Sequence, residues 1–290
     1  MKRHAFLAGL GALAALPLRV RAAAFDRVEA IARTVPGTVG VYCRTLADEP
    51  PVFAFNGGAV FPTASTIKVL IMATAFAMEE ARPGTLDERI TTRRPDLIGG
   101  SDFMSEQQDG ARFRVRELLI PMIQLSDNTA SNYLMTFFGF DTINAVGRRA
   151  GMLSTKLARH FLDYSAIVHH NDNVTTPADM ATLLYKIAHG AREGLTTVAT
   201  PEHCKRMIDI MLGQTDRDGI PAGLPRGTQV ANKTGEIDGT RNDVAIVEPF
   251  KDSPYILTVY SKEVEDYNAI YDAMHRIARL SYGLAGRSDV

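Results

Sequence analysis

The sequence has little cysteine: Cys43 and Cys204 are the two present among 290 residues. Two cysteines can close at most one disulfide, so a scaffold held together by several bridges is excluded. A single bridge between them and two separate buried thiols both remain open interpretations.

The sequence also lacks an excess of charge of either sign. It has 32 basic and 33 acidic residues, a formal net charge of -1 and a sequence pI of about 6.7. Without a strong field of one sign, nucleic acid is disfavoured as a partner. Apolar residues make up 46% of the chain, which is ample for a sizeable core in one large domain or two interlocked ones.

The apolar run near the N terminus, residues 5–16, is too short for a membrane span, which needs roughly 20 residues. Lys2 and Arg3 precede this run, and the small residues Ala22 to Ala24 follow it. The pattern is typical of a secretory signal peptide. It predicts that residues 1–24 are removed and that the protein is periplasmic or secreted, with no stable membrane anchor.

Strand patterns stand at both ends of the mature sequence, and helical patterns lie between them. Residues rich in β-branched and aromatic types predict strands at 38–46, 52–55, 230–233, 243–247 and 255–261. Apolar residues at helical spacing predict helices between the two groups and one amphipathic helix at the end. We therefore expect an α+β fold: an antiparallel sheet with flanking helices plus an all-helical insertion lobe.

This organisation divides the mature chain into two lobes. Residues 25–64 and 205–290 are expected to form the α/β lobe, and residues 65–204 the helical lobe that carries the nucleophile. The segment around residues 159–175 has no clean period and is predicted to be an irregular loop. A functional site is expected in the cleft between the lobes.

Three short motifs occur in one order along the chain: Ser65-Thr66-Ile67-Lys68, Ser126-Asp127-Asn128 and Lys233-Thr234-Gly235. In this order and widely spaced, they describe a serine acyl-transfer site. Ser65 starts a helix, and Lys68 is placed to take its proton if burial lowers the pKa of the lysine. Ser126 is expected to relay a proton to the leaving nitrogen, with Lys68 or Lys233 behind it. The backbone N–H groups of Ser65 and Glu236 are candidates for an oxyanion hole.

The other residues of these motifs predict substrate contacts. Asn128 supplies an amide that orients the substrate, Thr234 offers a hydroxyl, and Gly235 lets the substrate approach the backbone. Arg241, on the next strand, is expected to form a forked ion pair with a substrate carboxylate.

On these motifs the chain resembles the class A β-lactamase branch of the penicillin-recognising serine hydrolases. Supporting stretches are Phe61-Pro62-Thr63-Ala64, residues 126–132 (SDNTASN), Thr175-Thr176-Pro177 and residues 239–247 (GTRNDVAIV). The resemblance spans nearly the whole mature chain. It implies an α/β sandwich with a helical insertion, a serine acyl-enzyme and a substrate that is a β-lactam or an acyl-D-Ala-D-Ala-like molecule. No cofactor is expected, and we expect a monomer.

One feature departs from the family pattern. In that family a glutamate in the loop before the Thr-Thr-Pro stretch activates the water that hydrolyses the acyl-enzyme, but residues 156–176 contain no glutamate. Aligning Thr155-Lys156-Leu157 with the similar tripeptide of the family puts Phe161 near the expected place. Asp163 is the nearest carboxylate and the candidate deacylation base, provided the loop brings its shorter side chain closer to Ser65.

Two other functions stay open beside the hydrolysis of β-lactams through Ser65. One is the same acylation chemistry on another substrate, as in a D-Ala-D-Ala carboxypeptidase, a transpeptidase or an esterase. The other is a sensor that the antibiotic acylates without turnover. The missing glutamate favours both, whereas Arg241 and the family stretches favour hydrolysis. No metal is expected from the polar residues of the surface loop, which are His160, His169, His170 and Asp172.

Overall fold

The computed structural model describes residues 18–47 and 50–285. The strands of this part are β1 (Thr38–Thr45), β2 (Phe53–Phe55), β3 (Phe61–Pro62), β4 (Arg89–Thr91), β5 (Arg112–Arg114), β6 (Val174–Thr175), β7 (Val230–Ile237), β8 (Thr240–Val247) and β9 (Tyr255–Lys262). The largest sheet has five antiparallel strands in the order β2-β1-β9-β8-β7, and β3-β6 and β4-β5 form two small sheets. The apolar run of the predicted signal peptide, residues 5–16, lies outside the described residues.

The main sheet joins the two ends of the chain. β1 pairs along its whole length with β9, from Thr38 opposite Lys262 to Thr45 opposite Tyr255. This pairing confirms the predicted antiparallel sheet shared by the two ends. β7 continues to Ile237, although the pattern predicted a strand that ends at 233, because β8 pairs with the glycine and polar residues that interrupt the apolar alternation.

Helices fill the middle of the described chain, and further helices precede β1 and follow β9. They are α1 (Leu18–Ala32), α2 (Lys68–Ala81), α3 (Asp102–Ser105), α4 (Val115–Gln124), α5 (Asn128–Phe138), α6 (Phe140–Arg149), α7 (Tyr164–Val168), α8 (Pro177–Glu193), α9 (Pro201–Leu212) and α10 (Tyr267–Leu284). The loop predicted at residues 159–175 contains α7, which at five residues is too short to show a helical period. Across residues 18–47 and 50–285, no helix has the length and apolar character needed to cross a membrane.

Helices cover both faces of the main sheet. On one face α1 and α10 bury a cluster that includes Val28, Val39 and Ile277. On the other face a second cluster, which includes Phe61 and Tyr260, continues into the helical part of the chain. α8 contributes to this second cluster, and the Thr258 hydroxyl of β9 donates a hydrogen bond to Pro177 O at its start, at 3.0 Å. The fold is thus a sandwich, while the lobe boundaries at residues 25–64, 65–204 and 205–290 remain a prediction.

Both cysteines are free and buried. Cys43 lies on β1 and Cys204 on α9, in the two separate apolar clusters. Burial raises the pKa of the Cys43 thiol to about 12. The structure therefore corresponds to two separate buried thiols and not to a bridge.

Candidate active site

Ser65 lies on a 3-10 turn, Ala64–Ile67, that leads directly into α2. Ala64 has a φ of 43°, a left-handed conformation that is uncommon for a residue with a Cβ atom. The Thr66 hydroxyl donates to Thr63 O at 2.7 Å and lies 2.9 Å from the hydroxyl of Tyr260 on β9. A strained turn fastened to the sheet therefore presents the half-buried Ser65.

Lys68 is fully buried below this turn. Its amine donates hydrogen bonds to Ser126 O at 2.6 Å and to Asn128 Oδ1 at 2.8 Å, and it lies 3.1 Å from Ser126 Oγ. Burial, reinforced by the positive charge of Lys233, holds the pKa of Lys68 well below its usual 10.5. Among the described residues the amine hydrogen-bonds Ser126 and Asn128 and not Ser65, so the predicted proton transfer from Ser65 requires one of the two side chains to move.

Ser126 connects the two lysines of the site. Its hydroxyl lies 3.1 Å from the amine of Lys68 and 3.1 Å from the amine of Lys233. Its φ of 57° is again left-handed for a residue with a Cβ atom. A left-handed backbone conformation of this kind persists only where the surrounding structure holds it. The loop therefore keeps the Ser126 hydroxyl between the two amines.

Asp127 holds that loop in place. One carboxylate oxygen accepts the Ala130 N–H at 2.8 Å and caps α5, and the other accepts the Met104 N–H at 2.9 Å. Asn128 lines the cleft, but its amide already bridges Lys68 and Gly99 O, to which it donates at 2.9 Å. Its predicted contact with a substrate therefore has to share an amide that also positions Lys68.

Lys233 is the second fully buried lysine. Its amine donates to Thr234 O at 2.9 Å as well as to Ser126 Oγ. Burial lowers its pKa to about 8, although the carboxylates of Asp216 and Asp243 act in the opposite direction. Lys233 thus remains largely charged at neutral pH, while Thr234 beside it is 7% exposed.

Gly235 has a role that the sequence did not indicate. A Cβ atom at this position would lie 2.9 Å from Thr63 O, which is too close without a backbone shift, and 3.0 Å from Ser65 N, which is unusually tight. The glycine therefore allows β7 to pack directly against the turn that carries Ser65. Its expected role of letting the substrate approach the backbone stays a prediction.

The N–H group of Glu236 points out of the edge of the sheet. Glu236 lies opposite Arg241 of β8. The N–H of Arg241 donates to Ser261 Oγ, and the Ser261 hydroxyl donates to Arg241 O, each at 2.8 Å. Both backbone groups of Arg241 therefore point toward β9. In an antiparallel pair the backbone groups of the two opposed residues either both point toward each other or both point away from each other, so Glu236 directs its N–H and C=O away from β8. Ser65 and Glu236 both line the cleft, and the oxyanion hole formed by their N–H groups stays a prediction.

A cleft of about 490 Å³ opens in front of Ser65. Ser65 and Asn128 line one part of the cleft. Glu236 and Ile237, at the end of β7, and Asp238, just after it, line another part. The opposite wall is the loop of residues 159–173. The cleft thus brings together the predicted nucleophile, Ser65, and two predicted substrate-binding residues, Asn128 and Glu236.

Phe161 takes the place where the resemblance implies a glutamate. Its ring centroid lies 4.4 Å from the amine of Lys68, a distance typical of a cation–π contact. Asn132 fixes the backbone of Phe161 by accepting its N–H at 2.8 Å and donating to its carbonyl at 3.2 Å. An aromatic ring, and not a carboxylate, therefore faces the lysine.

Asp163 is not among the residues that line the cleft, and its role as the candidate deacylation base stays a prediction. Its carboxylate caps α7 by accepting the Ala166 N–H at 3.2 Å and the Ser165 hydroxyl at 2.7 Å. These hydrogen bonds lower its pKa, which makes it a weaker base. The short helix inside the predicted loop thus uses this side chain as its cap.

Asp172 is a carboxylate on the cleft wall that sequence reasoning assigned to a surface loop. It forms an ion pair with Arg159 at 2.7 Å and accepts the N–H of Asn173 at 2.7 Å. Arg159 is 8% exposed, so the pair closes the base of the loop. Within residues 18–47 and 50–285, no group of three or more histidine, cysteine or acidic residues is arranged to hold a metal.

Arg241 is not among the residues that line the cleft. Its guanidinium lies 3.6 Å from the ring centroid of Tyr267 on α10 and donates to Ile237 O at 2.9 Å and Thr240 O at 2.8 Å. Side chains alternate along β8, and Asn242, the next residue, reaches Pro62 O on the cleft side at 2.9 Å. The predicted ion pair with a substrate carboxylate therefore requires Arg241 to leave these partners.

The arrangement of these residues matches a known protein family. A family model described as the beta-lactamase enzyme family matches residues 23–284. The chain belongs to this family. This membership confirms the predicted resemblance and the prediction of a serine β-lactamase-like hydrolase.

Individual relatives are similar at modest identity. A beta-lactamase of Proteus vulgaris is 28% identical over 244 residues, which cover 83% of this chain and 79% of the relative. The solved structure of PBP-A has a TM-score of 0.80 and 26% identity, over 91% of this chain and 96% of that one. An ancestral class A beta-lactamase has a TM-score of 0.81 and 28% identity, over 90% of this chain and 99% of that one. A mutant of PBP-A is known as an acyl-enzyme complex with penicillin G.

Proposed function

We propose that this protein is an exported serine hydrolase of the class A β-lactamase type, in which Ser65 opens β-lactam rings and forms an acyl-enzyme. The observation that carries the proposal is the position of Ser126 Oγ, 3.1 Å from the amines of both Lys68 and Lys233. A hydroxyl held between two buried amines beside a serine on a strained turn suits proton transfer during acyl transfer.

The first step is attack on the lactam carbonyl. Lys68, in its neutral form, takes the proton of the Ser65 hydroxyl as the oxygen bonds to the carbonyl carbon. Negative charge develops on the carbonyl oxygen, and the N–H groups of Ser65 and Glu236 stabilise it. The lowered pKa of Lys68 is what makes its lone pair available near neutral pH.

The second step breaks the lactam C–N bond and leaves the acyl group on Ser65. Ser126 donates its hydroxyl proton to the departing nitrogen and regains one from the ammonium of Lys68 through their existing hydrogen bond. Lys233 keeps its charge and attracts the substrate carboxylate toward the hydroxyl of Thr234. Arg241 adds to this attraction if the substrate draws it away from its partner Tyr267.

Release of the acyl group is the slow half of the reaction in this proposal. The family's glutamate is absent, Phe161 covers Lys68, and the cleft carboxylate of Asp172 is committed to Arg159. The same observation favours a second candidate function, a D-Ala-D-Ala carboxypeptidase or transpeptidase, or an esterase, whose natural substrate is not a lactam. An acylated sensor without turnover is the limiting case of slow release.

The cellular setting belongs to the same proposal. The basic residues and short apolar run of the N terminus support export to the periplasm or medium, where a β-lactam is first met. The protein is proposed to act there as a monomer and without a cofactor.

Steady-state hydrolysis of a chromogenic cephalosporin, with Ser65→Ala as the control, tests this function. A linear trace that depends on Ser65 supports the hydrolase. A burst of one equivalent followed by a flat trace refutes turnover and supports the sensor. An absence of both hydrolysis and covalent adduct refutes the lactam as substrate and leaves the peptide or ester alternatives.

A further inference from the structure

The loop wall of the cleft is apolar and exposed. Leu162, Tyr164 and Ile167 project from the loop with 39%, 66% and 38% of their surface exposed, beside the ring of Phe161. Ile237, at the end of β7, lines the same cleft and is 38% exposed. Exposed apolar side chains grouped in a cleft mark a place where an apolar group of a ligand is bound.

The local structure holds these side chains in position. Asn132 fixes the backbone of Phe161, and Asp163 caps the helix that begins at Tyr164. Tyr164 and Ile167 are three residues apart on this helix, so they share one of its faces. The apolar wall is therefore presented by an ordered segment, and both of these residues line the cleft.

The charged residues of the cleft are already paired with protein groups. Arg159 and Asp172 form an ion pair with each other. Glu236 accepts the hydroxyl of Tyr271, and Asp238 accepts the hydroxyl of Tyr267 at 3.1 Å. Apart from Ser65, the cleft therefore presents apolar surface to a ligand, because its charged side chains already have protein partners.

We propose that this wall selects acyl donors whose acyl group ends in an uncharged apolar or aromatic body. The inference rests on the proposed acylation of Ser65. Because the acyl group stays attached to the carbonyl that bonds Ser65, its side chain extends into the cleft that Ser65 lines, between α7 and Ile237. The lactam carboxylate is directed instead toward Lys233, so the two ends of the substrate meet different chemistry.

A series of penicillins that differ only in the acyl group tests the selection. The measured quantity is the second-order rate constant for acylation of Ser65, followed by intact-protein mass, for acetyl, hexanoyl, phenylacetyl and α-carboxyphenylacetyl penicillins. We expect the phenylacetyl compound to react at least about tenfold faster than the acetyl compound, and the carboxylated one to lose that advantage.

Matched variants assign the preference to the wall. Ile167→Ser and Ile237→Ser are each expected to lower the phenylacetyl-to-acetyl ratio roughly fivefold to tenfold. Val168→Ser is the control, because Val168 is 75% exposed on the same short helix but does not line the cleft, and it should leave the ratio unchanged. Tyr164→Ser provides a further wall variant if a melting curve shows that either isoleucine variant is unfolded.

The outcomes separate this inference from the proposed function. Equal rates across the series, or an undiminished rate for the carboxylated compound, overturn the apolar selection while acylation of Ser65 stands. A ratio that falls equally in Val168→Ser also overturns it. If no penicillin labels Ser65, the proposed function itself fails and the inference fails with it.

Discussion

Acylation of Ser65 is expected to depend on pH through two buried lysines that act in opposite protonation states. Lys68 acts as a base only when neutral, so the rate rises with pH through its lowered pKa. Lys233 acts as a cation, so the rate falls as pH rises through its pKa of about 8. Lys233 is about nine-tenths charged at pH 7 and about one-tenth at pH 9, which predicts a rate about tenfold lower at the higher pH.

The assay is the acylation rate constant for penicillin G from about pH 6 to about pH 10. Lys233→Arg is the matched variant, because a guanidinium stays protonated throughout this range. Its larger side chain enters a fully buried position and lowers the overall rate, so the position of the alkaline fall is the readout. The reasoning is refuted if wild type shows no fall in this range, or if the variant falls at the same pH.

Three further variants probe the site and its support. Phe161→Glu places a carboxylate at the position facing Lys68 and should shorten the acyl-enzyme lifetime, measured by mass spectrometry, about 100-fold. Phe161→Leu should leave this lifetime unchanged, and equal lifetimes in the two variants would contradict the account. Gly235→Ala should reduce acylation at least about tenfold by pushing β7 from the nucleophile turn, unlike Gly58→Ala, whose Cβ meets nothing within 4 Å. Burial raises the pKa of Asp243 to about 7, so the free energy of unfolding of wild type should fall by up to about 4 kcal/mol between pH 4 and pH 7.5, while that of Asp243→Asn should not. Urea-unfolding free energies that follow the same pH profile in both proteins would argue against this.

Sequence patterns predicted the parts of this molecule that depend on local spacing. Ser65 and Lys68 are three residues apart, so their place on one helical turn followed from spacing, whereas the hydrogen bonds of Lys68 to Ser126 and Asn128 did not. The antiparallel sheet followed from apolar and β-branched runs at both ends of the chain. The meeting of Ser126 with Lys233, by contrast, was predictable through the family motifs, because residues 107 positions apart share no local period.

Tertiary contacts account for what the sequence patterns did not predict. Arg241 was expected at the substrate, but Tyr267 on α10, whose position the strand pattern does not reveal, offers an aromatic face 3.6 Å away. Asp163 was expected to act as a base, but a short helix used it as a cap. The packing of Gly235 against the turn at Thr63 was not predicted, because it is a tertiary contact between β7 and that turn.

The central claim is that Ser65 forms a covalent acyl-enzyme with β-lactams. Its most direct test is peptide mass mapping after brief exposure to penicillin G. The account predicts that the peptide containing Ser65 gains the mass of one intact penicillin and that the Ser65→Ala protein gains none. A label on another residue, or an unlabelled wild-type protein, would contradict it.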